Sequence, residues 1–129
     1  MQILQPPGWE RPRGYSNGIV ATGKLVFISG QIGWDAQQQF QTTDFVAQAR
    51  QALQNVLDIL AECGGKPENI TRMTWYLVDK AEYQVNIRDL GKVYQELMAD
   101  HYPAMSAVEV CSLMEVQARL EIEATAVIP

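Results

Sequence analysis

The chain has 129 residues, 47% apolar and 19% charged, which suits one globular domain with a core of its own and excludes disorder. Its net charge of −5, with only ten scattered Lys and Arg, argues against a nucleic-acid partner, because phosphate backbones are held by clustered cations. No stretch approaches the roughly 20 apolar residues of a membrane span, so no membrane partner is expected and a cytoplasmic location follows by default.

Residues 1–14 read as an extended arm punctuated by Pro and Gly, carrying Trp9, Arg11 and Arg13 and lacking the apolar run of a signal peptide. Two apolar runs, Ile19–Ala21 and Leu25–Ile28, flank Thr22-Gly23 in the pattern of a β-hairpin. The second run does not alternate, as expected for a strand covered on both faces. Gly30 and Gly33 then interrupt it, and either could admit a close approach by another group.

From Asp44 the period changes to that of a helix. Phe45, Ala49, Ala52, Leu53, Val56, Leu57, Leu60 and Cys63 fall on one stripe, with Thr43 or Asp44 as N-cap and Gly64-Gly65 as the stop. Ile70–Val78 is β-branched and aromatic, with Met73, Trp75 and Leu77 on one face. A second helix over about 85–100 turns Leu90, Val93, Tyr94, Leu97 and Met98 inward, and Pro103 closes it. His101 is expected at the C-terminal end of that helix. Strands over 106–112 and 119–127 complete the chain. In the last, Leu120, Ile122 and Ala124 alternate with Glu121 and Glu123.

This order implies an α+β domain spanning residues 1–129, with one mixed sheet and two helices packed on one face. The uncovered face, apolar groups interleaved with Glu121 and Glu123, reads equally as a subunit interface or a solvated surface. Cys63 and Cys111 are far apart and read as small buried hydrophobes. They are too few for a zinc site or a disulfide framework, and no spacing implies a metal or organic cofactor.

Four segments resemble the RidA/YjgF family, also called the L-PSP endoribonuclease family. Gly14-Tyr15-Ser16-Asn17 is similar to its G-P-Y-S-Q, and Val26–Ile32 to its v-f-x-S-G-Q-i. Gln51–Leu57 resembles the helix motif Q-x-x-x-N-l. Pro103–Val110 with Leu120–Ala124 resembles P-A-R-S-x-V-E-V and the ending v-E-I-E-A. The resemblance covers nearly the whole chain. It implies a chorismate-mutase-like fold, a homotrimer with sheets facing inward, and sites at subunit interfaces that hydrolyse reactive enamines and imines to 2-oxo acids and ammonia.

Carried over position by position, the resemblance makes Glu121 the residue that orients the attacking water. Tyr15, Ser29 and Gly30 become substrate contacts, and Met105 and Ala107 line the pocket. Met105 stands where the family pattern has an arginine, and a thioether cannot make the bidentate, charge-assisted pair that a guanidinium makes with a carboxylate. Arg13, two residues before Tyr15, is a candidate replacement cation, and Trp34 or Trp9 could extend an aromatic wall.

From the residues alone, Glu121 reads first as a solvated or salt-bridged strand glutamate beside Arg119, and Tyr15 could also be a buried aromatic near a turn. Ser29 has no nearby histidine to activate it as a nucleophile, so contact with ligand is the expected role. The reading is a deaminase for a small-molecule substrate, a reactive imino or conjugated amino acid other than simple 2-aminoacrylate. The alternative is a non-catalytic trimer that binds a small metabolite. Ribonuclease activity is disfavoured by the acidic balance of the chain.

Overall fold

The computed structural model describes residues 1–129. In chain order the elements are β1 (Gln2–Leu4), β2 (Gly18–Val20), β3 (Lys24–Ile32), α1 (Phe45–Ala61), a 3₁₀ turn (Pro67–Asn69), β4 (Ile70–Leu77), α2 (Lys80–Val85), α3 (Ile87–Met98), β5 (Ala104–Glu109) and β6 (Leu120–Ile128). The main sheet has the order β3-β6-β4-β5, with β6 antiparallel to both neighbours and β4 parallel to β5. It is thus mixed, and its helices lie on one side, as the pattern of residues predicts.

The expected hairpin across Thr22-Gly23 does not form. β2 instead pairs with β1 at the start of the chain, and β3 pairs with β6 at its end. Gly23 explains the difference: its φ is +150°, and a β-carbon there would collide with the backbone at Ile128 and Pro129. The glycine serves a close passage against the C-terminal end of the chain rather than a tight turn. The expected second helix is likewise two, α2 and α3, interrupted at Asn86, whose side-chain amide donates to the Glu82 carbonyl.

One layer of side chains forms the core. Met73, Trp75 and Leu77 of β4 and Leu120, Ile122 and Ala124 of β6 meet Ala52, Leu53, Val56 and Leu60 of α1 and Leu90, Tyr94 and Met98 of α3. Full burial of each large aliphatic group contributes roughly 1.5–3 kcal/mol. Asp44 caps α1 by accepting from the Ala47 amide at 2.9 Å.

Gln48 is the polar exception inside this layer. It is wholly buried, and its amide donates to the carbonyls of Thr42 and Gln117 and accepts from the Arg119 amide. It therefore fastens α1 to the residues that lead into β6. Asn55 has a similar task, donating to the carbonyls of Ile32 and Trp34 and so fixing the exit of β3.

Both cysteines are exposed, contrary to expectation. Cys63 lies beyond the last residue of α1, where its thiol donates to the Leu60 carbonyl, and Cys111 sits in the connection between β5 and β6. The ring of His101 does not serve the helix end either. Its Nε2 lies 2.6 Å from the Ile70 carbonyl at the start of β4.

The face of the sheet away from the helices is uncovered. Phe27 is 76% exposed on it and Leu25 58%, both on edge strand β3, and Val108 is exposed on the opposite edge strand, β5. No helix is long and apolar enough to cross a membrane.

Candidate functional site

The candidate residues fall into two groups on opposite faces of the sheet. The first surrounds a β-bulge. Pairing between β3 and β6 slips one residue between Ile28 and Gln31, leaving Ser29-Gly30 opposite a shorter stretch of β6. Bulges re-aim backbone and side chains in this way at sheet edges. Glu121, in register with Ile32 and Tyr76, fills the space so created. Its neighbours Leu120 and Ile122 are fully buried toward the helices, so its own side chain lies on the uncovered face.

The Glu121 carboxylate rests against Gly30. A β-carbon on Gly30 would stand 2.6 Å from Cδ of Glu121 and closer still to Oε2. Glu121 makes no hydrogen bond or ion pair within the chain, because Arg119 turns instead to Glu82 of α2. Ser29 is exposed beside it, and its hydroxyl and carbonyl both accept from the Gln31 amide. On the same face Tyr76 donates to Glu123 at 2.6 Å, and that bond, with a smaller desolvation, raises the phenol's pKa above its ordinary value.

The second group borders a cavity of about 500 Å³ on the helix side of the sheet, against β4 and edge strand β5. Arg13, Tyr15, Met105 and Ala107 all line it, so four of the predicted residues do converge. What brings the N-terminal arm here is Ser16. It is buried, forms a parallel bridge with Ala104, donates its amide to the Pro103 carbonyl at 3.1 Å and donates its hydroxyl to the Tyr102 carbonyl. Gly14, with φ of +79°, turns the chain just before Tyr15.

The rest of the cavity was not anticipated. Trp75 and Tyr102 form part of the wall, and α2 and α3 contribute Tyr83, Ile87, Leu90, Gly91 and Tyr94. Residues 87, 90–91 and 94 form one face of α3, with Tyr83 of α2 beside it and Gly91 in its middle. Tyr94 stacks on Tyr102 at 5.3 Å, and Trp75 meets Tyr83 edge-on at 6.2 Å. Burial raises the pKa of both Tyr83 and Tyr94 above the ordinary tyrosine value, so the cavity holds neutral phenols. The indole N–H of Trp75 is the single buried side-chain polar atom without a partner.

Trp34 belongs to neither group. It packs against Phe40 at 5.9 Å in the loop after β3. Trp9 is exposed on the arm and absent from the cavity wall. The two groups are separated by β4, roughly 10 Å at ordinary strand spacing, and by the thickness of the sheet. No three His, Cys, Asp or Glu side chains come together in the chain.

Comparison with known proteins places the sequence and the fold among relatives. The chain is 35% identical over 108 residues to a RutC family protein of Haemophilus influenzae, covering 84% of this chain and 82% of that one. It is 30% identical over 114 residues to the human 2-iminobutanoate/2-iminopropanoate deaminase, covering 88% and 79%. Among solved structures it superposes on a Rid family protein of unknown function from Yersinia pestis, YyfB, with a TM-score of 0.87, 25% identity and 98% coverage of both chains. The Escherichia coli YjgF product gives 0.70 at 32% identity, with 89% and 88% covered. The family profile described as endoribonuclease L-PSP matches residues 10–128, and the chain belongs to this RidA/YjgF family.

Proposed function

We propose that the protein hydrolyses a reactive imino acid to the 2-oxo acid and ammonia, at sites formed between copies of the chain in a homotrimer. The observation that carries this reading is the unpartnered Glu121 carboxylate seated on the Gly30 bulge. A fixed carboxylate with no internal partner is free to hold a water molecule and take its proton. Water adds to the imine carbon, Glu121 receives the proton, and the carbon–nitrogen bond of the resulting carbinolamine breaks. Glu121 passes that proton to the nitrogen, and as the carbon–nitrogen bond breaks the carbinolamine hydroxyl gives up its own proton to the nitrogen as well, so ammonia leaves and the carbon becomes the carbonyl of the oxo acid.

Two relatives named as 2-iminobutanoate/2-iminopropanoate deaminases, the human and Salmonella typhimurium proteins, support this reaction class. Ser29 and Gly30 present backbone to the substrate, and Tyr15, Met105 and Ala107 shape the pocket around its side chain. Within one protomer these two sets lie on opposite faces of the sheet. A trimer joined through the uncovered face would set the bulge of one copy beside the cavity of the next and cover Phe27 and Leu25. With Met105 at the position of the family arginine, the substrate is larger than 2-aminoacrylate, and the carboxylate is held by another cation.

The test is ammonia release from imino acids generated in situ, comparing the wild type with Glu121→Gln and Met105→Arg. Turnover of larger imines that falls by about 10²–10⁴ in Glu121→Gln, with preference shifting toward 2-aminoacrylate in Met105→Arg, upholds the reading. Light scattering at micromolar concentration reports the assembly. A monomer would remove the interfacial site, and the absence of turnover with every imine would leave a metabolite-binding protein.

A further inference from the structure

We infer that the cavity beside β5 selects an acid bearing an aromatic or conjugated ring, with its carboxylate on Arg13 and its ring among Trp75, Tyr83 and Tyr94. The inference rests on the preceding reading in one respect: it assigns the substrate class of the same proposed site.

Volume is the first argument. About 500 Å³ lies within the range of small-molecule pockets, and an acid with as few heavy atoms as 2-aminoacrylate would leave most of it empty or wet. The lining is the second. Nine of its twelve residues are apolar or aromatic, and five rings line the cavity, two pairs of them already stacked or edge-on to one another. Walls of this kind reward a flat ring with offset and edge contacts that an aliphatic chain cannot reproduce. Met105 adds a polarizable sulfur to the same wall.

Charge is the third argument. Arg13 is the one charged residue of the lining, and no acid accompanies it. The two ion pairs of the chain use Arg50 and Arg119, so the Arg13 guanidinium is uncommitted. It is also exposed. A carboxylate paired with it therefore gains little and is screened by salt, so selectivity must come from the ring. Gly91 completes the picture: it is exposed at the rim of the cavity, and a β-carbon there would meet nothing within 4 Å, so the cavity stays open on the α3 side.

The experiment is titration calorimetry on the assembled protein with phenylpyruvate and with pyruvate, repeated for Gly91→Leu and Arg13→Met, alongside turnover of imines generated from phenylalanine and from serine. Phenylpyruvate is expected to bind at least tenfold more tightly than pyruvate. Gly91→Leu should erase that ratio, and Arg13→Met should weaken both acids three- to tenfold, less so at high salt. A circular dichroism melt confirms that each variant is folded. Equal affinity for the two acids, or a ratio unmoved by Gly91→Leu, overturns the inference even where Glu121-dependent turnover of small imines persists. Gly91-sensitive selectivity for phenylpyruvate without turnover of any imine upholds the cavity's preference and overturns the deaminase reading alone. Unchanged binding in Arg13→Met removes the arginine from the assignment.

Discussion

The carboxylate of Glu121 occupies the space that a side chain on Gly30 would need. The two residues lie on different strands and meet because the β3 bulge sets Gly30 against β6 at this point. Sequence, local geometry and site chemistry thus converge on one contact. Because the atoms in the way belong to the outer part of a rotatable side chain, the carboxylate can swing aside without moving backbone. Gly30→Ala is therefore expected to cost little stability, about 1–2 kcal/mol, yet to displace the carboxylate from its seat. Activity should fall nearly as far as in Glu121→Gln, and the double variant should be no worse than either single one. Steady-state kinetics with urea unfolding on the same samples separates the two effects. A Gly30→Ala protein with full activity would show that the seat does not matter.

Gln48 supports the same end of β6, just before Glu121. It joins Thr42, Gln117 and Arg119 through three hydrogen bonds from a side chain with no solvent exposure. Replacing it by Met keeps the volume and adds apolar character, which by burial alone would be favourable. The swap also leaves three backbone groups without a partner, each worth about 1–3 kcal/mol when buried. The second effect is larger, so Gln48→Met should destabilise by roughly 2–5 kcal/mol. A urea midpoint within experimental error of the wild type would refute this account of the α1–β6 junction.

The contrast between Gln48 and Trp75 shows how far the sequence can be read. The stripe of α1 identifies its buried face, and the alternation of β4 separates its two faces without saying which is covered, because each element packs against one layer and its period is undisturbed. Gln48 sits inside that stripe as a residue type usually found outside it, and only the distant backbone of Gln117 and Arg119 accounts for it. Trp75 shares a face with Met73 and Leu77 as read, and the structure makes that face the buried one. Periodicity cannot tell whether the space in front of it is filled, so the cavity bounded by Tyr83, Gly91 and Tyr94 was hidden. The β-hairpin failed for a related reason. Local alternation proposes the nearest partner, whereas β2 and β3 find theirs at the two chain ends. Tyr15, Met105 and Ala107 were placed together by family resemblance, and Ser16 supplies the physical cause.

Gly91 offers a test of stability independent of ligand. It lies in the interior of α3, where glycine costs about 1 kcal/mol relative to alanine through backbone entropy. The space around its missing β-carbon is open, so alanine adds no clash. Gly91→Ala should therefore stabilise by about 0.5–1 kcal/mol, visible as a rise of several degrees in Tm. A fall in Tm would mean that α3 requires glycine for a reason other than the cavity.

Tyr94 governs the alkaline limit of the fold. Its hydroxyl donates to the His101 carbonyl at 2.7 Å, and burial, with a smaller contribution from Tyr102, raises its pKa well above 10. Tyr83 is raised by burial in the same direction. Below about pH 10 the phenol is neutral in both folded and unfolded chains, and stability does not depend on its titration. Above that value the unfolded chain gives up the proton while the folded chain keeps it. Fewer protons are then bound in the unfolded state, and stability falls with rising pH by at most about 1.4 kcal/mol per unit for this one group. Tyr94→Phe removes the hydrogen bond and should cost about 1 kcal/mol at neutral pH. It also removes the titrating group, so its urea midpoint should decline less steeply than that of the wild type between pH 9.5 and 11. Parallel declines in the two proteins would assign the alkaline limit to Tyr83 or to the exposed tyrosines instead.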